Sequence, residues 1–106
     1  MAEVIGNIDD DVRAVQAALE DYEAAHIGAR AAVRRTNPAS IRVRIIDDRF
    51  KHTPKLLRHD DVWDYLHGKV GDEIIQDVTV LLLLAPGEVG GSFANADFDD
   101  PQPVQL

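Results

Sequence analysis

The sequence predicts a single small α+β domain, in which one three-stranded sheet has helices packed on one face, in the order α-β-β-α-(α)-β. Three patterns predict it. Residues 9–26 repeat apolar residues at helical spacing, residues 41–45 alternate apolar and basic residues, and residues 78–84 are apolar apart from one threonine. The chain has 106 residues, 45% of them hydrophobic, which is enough for one core without cross-links.

The first helix is predicted over residues 9–26. Asp9, Asp10 and Asp11 suit its N-cap and first turn, because carboxylates there accept hydrogen bonds from free backbone amides and face the positive end of the helix dipole. Gly28 suits the end of the helix. Its apolar residues recur at spacings of three, four and three and are predicted to be buried together: Val12, Val15, Leu19 and Tyr22.

A β-hairpin is predicted to follow the first helix. Residues 30–35 form its first strand, residues 36–39 (Thr-Asn-Pro-Ala) its turn, and residues 41–45 its second strand. The apolar residues of the second strand are predicted to face the core, and its basic residues the opposite, open side of the sheet. Four arginines then share this open face: Arg30, Arg34, Arg42 and Arg44.

A second long helix is predicted to begin at Thr53-Pro54, with Thr53 as the N-cap and Pro54 in the first helical position. Gly68 is predicted to end it, and residues 71–76 to form a short turn or helix. The spacing of its apolar residues predicts which side chains share the buried face: Leu56, His59, Val62, Trp63 and Leu66.

The ends of the predicted domain follow from the last strand. Residues 78–84 are apolar on both faces, so we expect this strand to lie at the centre of the sheet. The domain is predicted to cover residues 9–86. Residues 1–8 are predicted to be a flexible N-terminus, and residues 87–106 an acidic C-terminal tail.

The net charge of −8 conceals a strong segregation: −6 over residues 1–29, +7 over residues 30–58 and −9 over residues 59–106. The negative total disfavours nucleic acid at long range, whereas the basic middle leaves a local anion-binding site open. The four arginines, together with Arg58, are therefore candidates for binding an anion or a partner. Alternatively, they are solvated charges paired across the strands, or acids of this chain or of a second copy neutralise them, namely Asp97, Asp99 and Asp100.

The composition excludes several kinds of function. The sequence has no cysteine, so it has no disulfide, thiolate nucleophile or cysteine-based metal site of its own. No serine–histidine–acid set, phosphate-binding loop or dinucleotide motif is present, so we do not expect an enzyme. The N-terminus lacks a signal peptide and the longest apolar run, residues 80–86, is too short to cross a bilayer. A cytoplasmic protein without membrane contact is the expectation.

Residues 46–66 carry the most specific pattern in the chain. Asp48-Arg49-Phe50 follows the second strand, and Arg58-His59 stands eight and nine residues beyond Phe50. Val62, Trp63 and Leu66 follow on the helix. With the element order, these offsets resemble the BolA family, whose fold is related to the type II KH domain. The match is good over residues 43–66 and looser for the order of elements over residues 9–84.

The resemblance implies an adaptor that pairs with a monothiol glutaredoxin around a shared [2Fe–2S] cluster, with no cofactor of its own. It implies His59 as a ligand of that cluster. The loop at residues 36–40 carries neither the His nor the Cys that BolA proteins often have there, and His52 stands where the family usually has glycine. His59 also has a purely structural interpretation, as a partly buried histidine that packs against its apolar neighbours.

A nucleic-acid-binding KH-like module is the alternative function. It would use the arginine face and Gly68-Lys69-Val70-Gly71, which matches the Gly-x-x-Gly loop joining two helices in type II KH domains. Acidic neighbours of this tetrapeptide oppose phosphate binding. A protein is therefore the first expected partner, either a glutaredoxin or a second copy of the chain, and nucleic acid is the second.

Overall fold

The structure, a computed structural model, describes residues 1–100. Within this range four strands form one sheet: β1 (Glu3–Ile5), β2 (Arg30–Asn37), β3 (Ser40–Ile46) and β4 (Val78–Leu84). The α-helices are α1 (Asp10–Ala25), α2 (Lys55–Ile75) and α3 (Phe93–Asp99). Two 3₁₀ helices, Asp48–His52 and Pro86–Gly91, precede α2 and α3. No helix within residues 1–100 is both long enough and apolar enough to cross a membrane.

The sheet is mixed, with its strands in the order β1-β2-β3-β4. β2 and β3 form the predicted antiparallel hairpin, while β1 pairs with β2 and β4 pairs with β3 in parallel. The α+β class is confirmed, but the predicted number of three strands is wrong. The fourth strand, β1, lies within the N-terminal segment predicted to be flexible, and its three residues are too few to show a periodic pattern.

β4 is an edge strand, so the prediction that it lies at the centre of the sheet is wrong. β4 is rich in apolar residues because other parts of the chain pack on both faces of the sheet. Leu83 packs in the core on the side of α1 and α2, and Val80, on the other side, remains 36% exposed. A strand covered on both faces is apolar on both faces wherever it lies in the sheet, so composition does not locate it.

α1 follows the prediction closely. Its N-cap is Asp9, whose Oδ1 accepts a hydrogen bond from the backbone N–H of Val12 at 2.9 Å. The predicted apolar face is buried against the sheet, where the inward residues of β3 meet it. The residues of this shared core are fully or almost fully buried: Val12, Val15, Leu19, Tyr22, Ile41, Val43 and Ile45.

The ends of α2 differ from the prediction. Thr53 does not cap the helix, because its hydroxyl donates to the backbone oxygen of Arg49. Gly68 does not end the helix either. The break comes at Gly71, whose φ of 84° lies in the region that glycine adopts without strain. The chain then resumes a helical turn up to Ile75, within the predicted short turn or helix.

The buried face of α2 is turned relative to the predicted one. Arg58, Val62 and Leu66, spaced four residues apart, are buried, whereas Leu56 is 74% exposed. The pattern of apolar residues misplaces the face because it treats Arg58 as a surface residue. A guanidinium can be buried when its donors find acceptors inside the protein.

The second face of the sheet is covered, so the expectation of an open face is wrong. Within the predicted tail, residues 93–99 form α3, which begins with Ser92 accepting a hydrogen bond from the backbone N–H of Asn95. α3 places Phe98, only 1% exposed, against the sheet. The last six residues of the predicted tail, 101–106, lie outside the described residues.

Candidate functional site

The hairpin brings the predicted arginines onto one face of the sheet. Arg34 of β2 stands directly opposite Arg42 of β3, and Arg44 stands opposite Ala32. Arg30 lies on the same face, two residues before Ala32, at the end of the strand. We call Arg34, Arg42 and Arg44 the basic face. It lies on the side of the sheet opposite α1 and α2.

α3 covers the basic face with its own acids. Nη1 of Arg42 donates to Oδ2 of Asp97 at 2.6 Å, and Nη1 of Arg44 donates to Oδ1 of Asp99 at 2.7 Å. Nη2 of Arg34 donates to the backbone oxygen of Asp99 at 2.9 Å. The hypothesis that Asp97, Asp99 and Asp100 neutralise these arginines is confirmed for Asp97 and Asp99, which pair with Arg42 and Arg44 within one chain.

An aromatic ring completes this contact. The guanidinium carbon of Arg44 lies 4.7 Å from the centre of the Phe98 ring, a cation–π distance, and Nη1 of Arg44 also donates to Oδ1 of Asn95. Asp97 and Asp99 are about half exposed, at 46% and 54%, so each ion pair contributes at most about 1 kcal/mol. Burying Phe98 contributes about 1.5–3 kcal/mol. Burial of the ring is therefore the largest single contribution, and the charges orient the helix.

Arg58 belongs to the interior and not to the basic face. Its side chain is 5% exposed, and it donates to the backbone oxygens of Leu83 at 3.1 Å and Thr53 at 2.7 Å, and also to that of Phe50. Two further hydrogen bonds reach the carboxylate of Glu88. This guanidinium fastens the first 3₁₀ helix, β4 and the second 3₁₀ helix together, which leaves it no free side for an external ligand.

The contact with Arg58 changes the pKa of the Glu88 carboxyl group. Hydrogen bonds from the Arg58 guanidinium and from the backbone N–H of Ala85 lower the pKa of Glu88 from 4.5 to about 2. Glu88 is therefore an anion throughout the physiological range, and it closes the second 3₁₀ helix onto α2.

His59 lies on the outer side of α2, where a partner can reach it. Its side chain is 52% exposed, and its ring stacks on that of Trp63 with centroids 5.9 Å apart and planes 10° apart. Leu56, one turn earlier on the same side, is 74% exposed. We call Leu56, His59 and Trp63 the α2 surface. Trp63 also packs against the core, so one edge of this surface is anchored.

The donor atoms of His59 suit one bond to an external metal. Nδ1 lies 4.0 Å from a carboxylate oxygen of Asp60, and Nε2 makes no hydrogen bond with any residue from 1 to 100. No group of three or more histidines and acids in this part of the chain is arranged to hold a metal ion. Among residues 1–100, His59 is therefore a single exposed imidazole with one ring nitrogen that makes no hydrogen bond.

Sequence reasoning missed a polar cluster formed by the buried Tyr22 and Asp47 and the exposed Arg49. Asp47, 3% exposed, accepts from the Tyr22 hydroxyl at 3.2 Å and from the backbone N–H and Nε of Arg49 at 3.0 and 3.1 Å. Nη2 of Arg49 donates in turn to the Tyr22 oxygen at 2.8 Å. The sequence does carry a signal, since an aspartate directly after a buried strand and before Asp48-Arg49-Phe50 suits the N-cap of a tight turn.

The cluster shifts the pKa values of its members. Burial raises the pKa of Tyr22 to about 12. Burial also opposes ionisation of Asp47, but the hydrogen bonds and charge of Arg49, together with the Tyr22 hydroxyl, hold the pKa of that carboxyl below its usual value. The cluster borders an open cavity of about 340 Å³ between α1, α2 and the first 3₁₀ helix. Two residues of the family-like pattern thus have a structural role, Arg49 in this cluster and Phe50 in the core.

Comparison with protein-family models, with curated proteins and with solved structures finds no match to this chain.

Proposed function

We propose that this chain is a small, non-enzymatic interaction domain that binds a protein partner through the α2 surface. The observation that carries the proposal is the position of His59, half exposed between the exposed side chain of Leu56 and the ring of Trp63. Apolar and aromatic groups held together on an otherwise acidic surface are typical of a protein-binding site.

The packing of this surface suits binding because little of it has to be ordered when a partner arrives. The ring of Trp63 packs against the core and stacks on His59, so its position is set before binding. Side chains that are already fixed lose less conformational entropy on association than mobile ones. Leu56 supplies apolar area beside them at the start of the helix.

The resemblance to the BolA family gives a specific form of the proposal. The partner is then a monothiol glutaredoxin, and His59 donates Nε2 to a [2Fe–2S] cluster whose other ligands the partner provides. The exposure of His59 and the lack of a hydrogen bond from Nε2 to any described residue support this role. When bound, the cluster would supply electron-transfer chemistry, while this chain supplies one neutral imidazole.

Electrostatics favour a protein over nucleic acid as the partner. The three arginines of the basic face are already bonded to α3. The exposed residues next to the α2 surface include Asp60, Asp61 and Asp64, which repel phosphates. The Gly68-to-Gly71 tetrapeptide lies inside α2 and at its break, where the same acidic surroundings apply.

The test combines the purified chain with a monothiol glutaredoxin carrying a reconstituted [2Fe–2S] cluster. We expect the two proteins to co-elute in size-exclusion chromatography and the visible absorbance of the cluster to change. His59→Ala should abolish the spectral change, and His52→Ala, which alters an exposed histidine in the preceding 3₁₀ helix, should not. A colourless complex, or one whose spectrum ignores His59→Ala, would reject the role of His59 as a cluster ligand.

A further inference from the structure

We propose that the basic face is a binding site for an acidic helical segment with an aromatic anchor, carried by another protein, and that α3 occupies this site as an intramolecular ligand. The site is independent of the α2 surface, because α2 packs on the other side of the sheet. What the face recognises is visible in its contacts with α3.

The recognition chemistry uses three features of α3. Carboxylates at Asp97 and Asp99 meet separate guanidinium groups, and a backbone oxygen of the helix meets a third. Between the two acids, the Phe98 ring is buried beneath Arg44. An Asp-aromatic-Asp sequence in a short helix therefore matches this face in charge, shape and spacing.

α3 leaves part of the binding capacity of the face unused. The Nε atoms of Arg34 and Arg42 are buried and make no hydrogen bond with residues 1–100. Each is a donor on a group that always carries a positive charge. A segment with one more acceptor in reach of these atoms would bind the same face better than α3 does.

Several features of α3 also favour its release from the basic face. Seven residues are too few for a helix that is stable by itself, so α3 depends on its contact with the sheet. The preceding 3₁₀ helix, Pro86–Gly91, has no buried residue and contains three glycines. The half-exposed acids of α3 form ion pairs that salt weakens. Displacing α3 therefore exposes Phe98, which a displacing segment with its own aromatic ring replaces, while Glu88 still holds the preceding 3₁₀ helix to Arg58.

Because α3 belongs to the same chain as the basic face, an external segment has to compete with it for binding. A ligand on a short linker acts at an effective concentration on the order of millimolar. An external copy of α3 therefore binds the wild-type chain only weakly, and it binds strongly once the contacts of α3 with the face are broken. This difference separates a true binding site from a contact that only stabilises the fold.

The experiment measures the fluorescence anisotropy of a labelled peptide that copies residues 92–100. The full chain is opened with Asp97→Lys/Asp99→Lys, and Asp60→Lys/Asp61→Lys, on exposed positions of α2, gives a control of equal net charge. We expect the opened variant to bind the peptide at least about tenfold more tightly than the control. Adding Arg42→Glu/Arg44→Glu, or replacing the copy of Phe98 in the peptide by alanine, should remove the gain.

Three results would overturn the proposal. The opened variant could unfold cooperatively like the wild type and yet bind the peptide no better than the control does. The peptide lacking the phenylalanine could bind equally well, which would show unspecific charge attraction. An oligothymidine could bind the opened variant more tightly than the peptide, which would assign the face to nucleic acid. If Asp97→Lys/Asp99→Lys does not fold, Asp97→Asn/Asp99→Asn replaces it, with Asp60→Asn/Asp61→Asn as the control of equal net charge, under the same three criteria.

Discussion

Oδ2 of Asp97 lies 2.6 Å from Nη1 of Arg42, although the two residues stand 55 positions apart in the chain. This contact joins the strongly basic middle of the sequence to its acidic last third. Because acids of α3 pair with Arg42 and Arg44, the basic face is largely covered although the sequence concentrates its positive charge there. The other side of the molecule differs, because there the α2 surface carries no cover among the described residues.

The contribution of α3 to stability can be separated from its charge by changing its two phenylalanines. Phe98→Ala removes a ring that is 1% exposed and should lower the free energy of unfolding by about 3 kcal/mol. Phe93→Ala changes a ring that is 95% exposed and should change it by less than about 0.5 kcal/mol. Urea unfolding of both variants measures the difference, and equal effects would show that α3 does not hold the sheet as described.

Arg58 should behave as an interior residue. Arg58→Met leaves the backbone oxygens of Leu83 and Phe50 without their donors and should cost about 3 kcal/mol in unfolding free energy. Arg13→Met, on the exposed side of α1, removes the same charge and should cost less than about 0.5 kcal/mol. Chemical denaturation compares the two. An Arg58→Met variant as stable as Arg13→Met would contradict the burial of this guanidinium.

The lowered pKa of Glu88 predicts how the stability of the fold depends on pH. Its pKa falls from 4.5 to about 2 in the folded chain because Arg58 and the backbone N–H of Ala85 bond to the carboxylate. A lowered folded pKa stabilises the fold above pH 4.5, and this stabilisation is lost as the pH falls towards about 2.

Glu88→Gln should therefore lower the stability of the chain at neutral pH. Between pH 4.5 and 2, this variant should lose less stability than the wild type does. The urea midpoint of both proteins, followed across this range, measures the effect. The carboxylates of Asp9 and Asp47, whose pKa values are also lowered, titrate in both proteins and cancel in the comparison. Parallel curves for the wild type and Glu88→Gln would contradict the bond to Arg58.

Both tyrosines should ionise at a higher pH than an exposed tyrosine does, because their pKa values are raised. Burial raises the pKa of Tyr22 from 10.0 to about 12 and also raises the pKa of Tyr65. A raised folded pKa leaves stability unchanged below pH 10 and reduces it as the pH rises from 10 to about 12. Phenolate absorbance in the ultraviolet measures the titration, and Tyr22→Phe should remove its later part. A phenolate that forms fully near pH 10 would show that Tyr22 is not buried as described.

The local features of the fold could be predicted from the sequence because they depend on neighbouring residues. The N-cap at Asp9 and the apolar face of α1 are set within one helix, and the alternation in β3 is set within one strand. The place of β4 at the sheet edge could not be predicted, because strand order depends on partners distant in sequence.

The candidate sites divide in the same way. Charge segregation predicts that Asp97 and Asp99 meet the arginines, since opposite charges attract wherever the chain carries them. The burial of Arg58 depends on acceptors from three separate segments, which no local pattern reveals. The prediction that His59 lies on the buried side of α2 is wrong, because the buried positions are Arg58, Val62 and Leu66, and His59 beside them is 52% exposed.

Affinity capture from the native host at low salt, with protein, nucleic acid and metal measured in the eluate, tests whether the α2 surface binds a protein. The bait is the wild-type chain beside two variants, Leu56→Asp and Ile27→Asp, which place the same charge at exposed apolar positions in different parts of the molecule. We predict a protein partner that the wild type and Ile27→Asp retain and that Leu56→Asp loses. A partner retained by Leu56→Asp, or an eluate dominated by nucleic acid, would contradict the proposed role of the α2 surface.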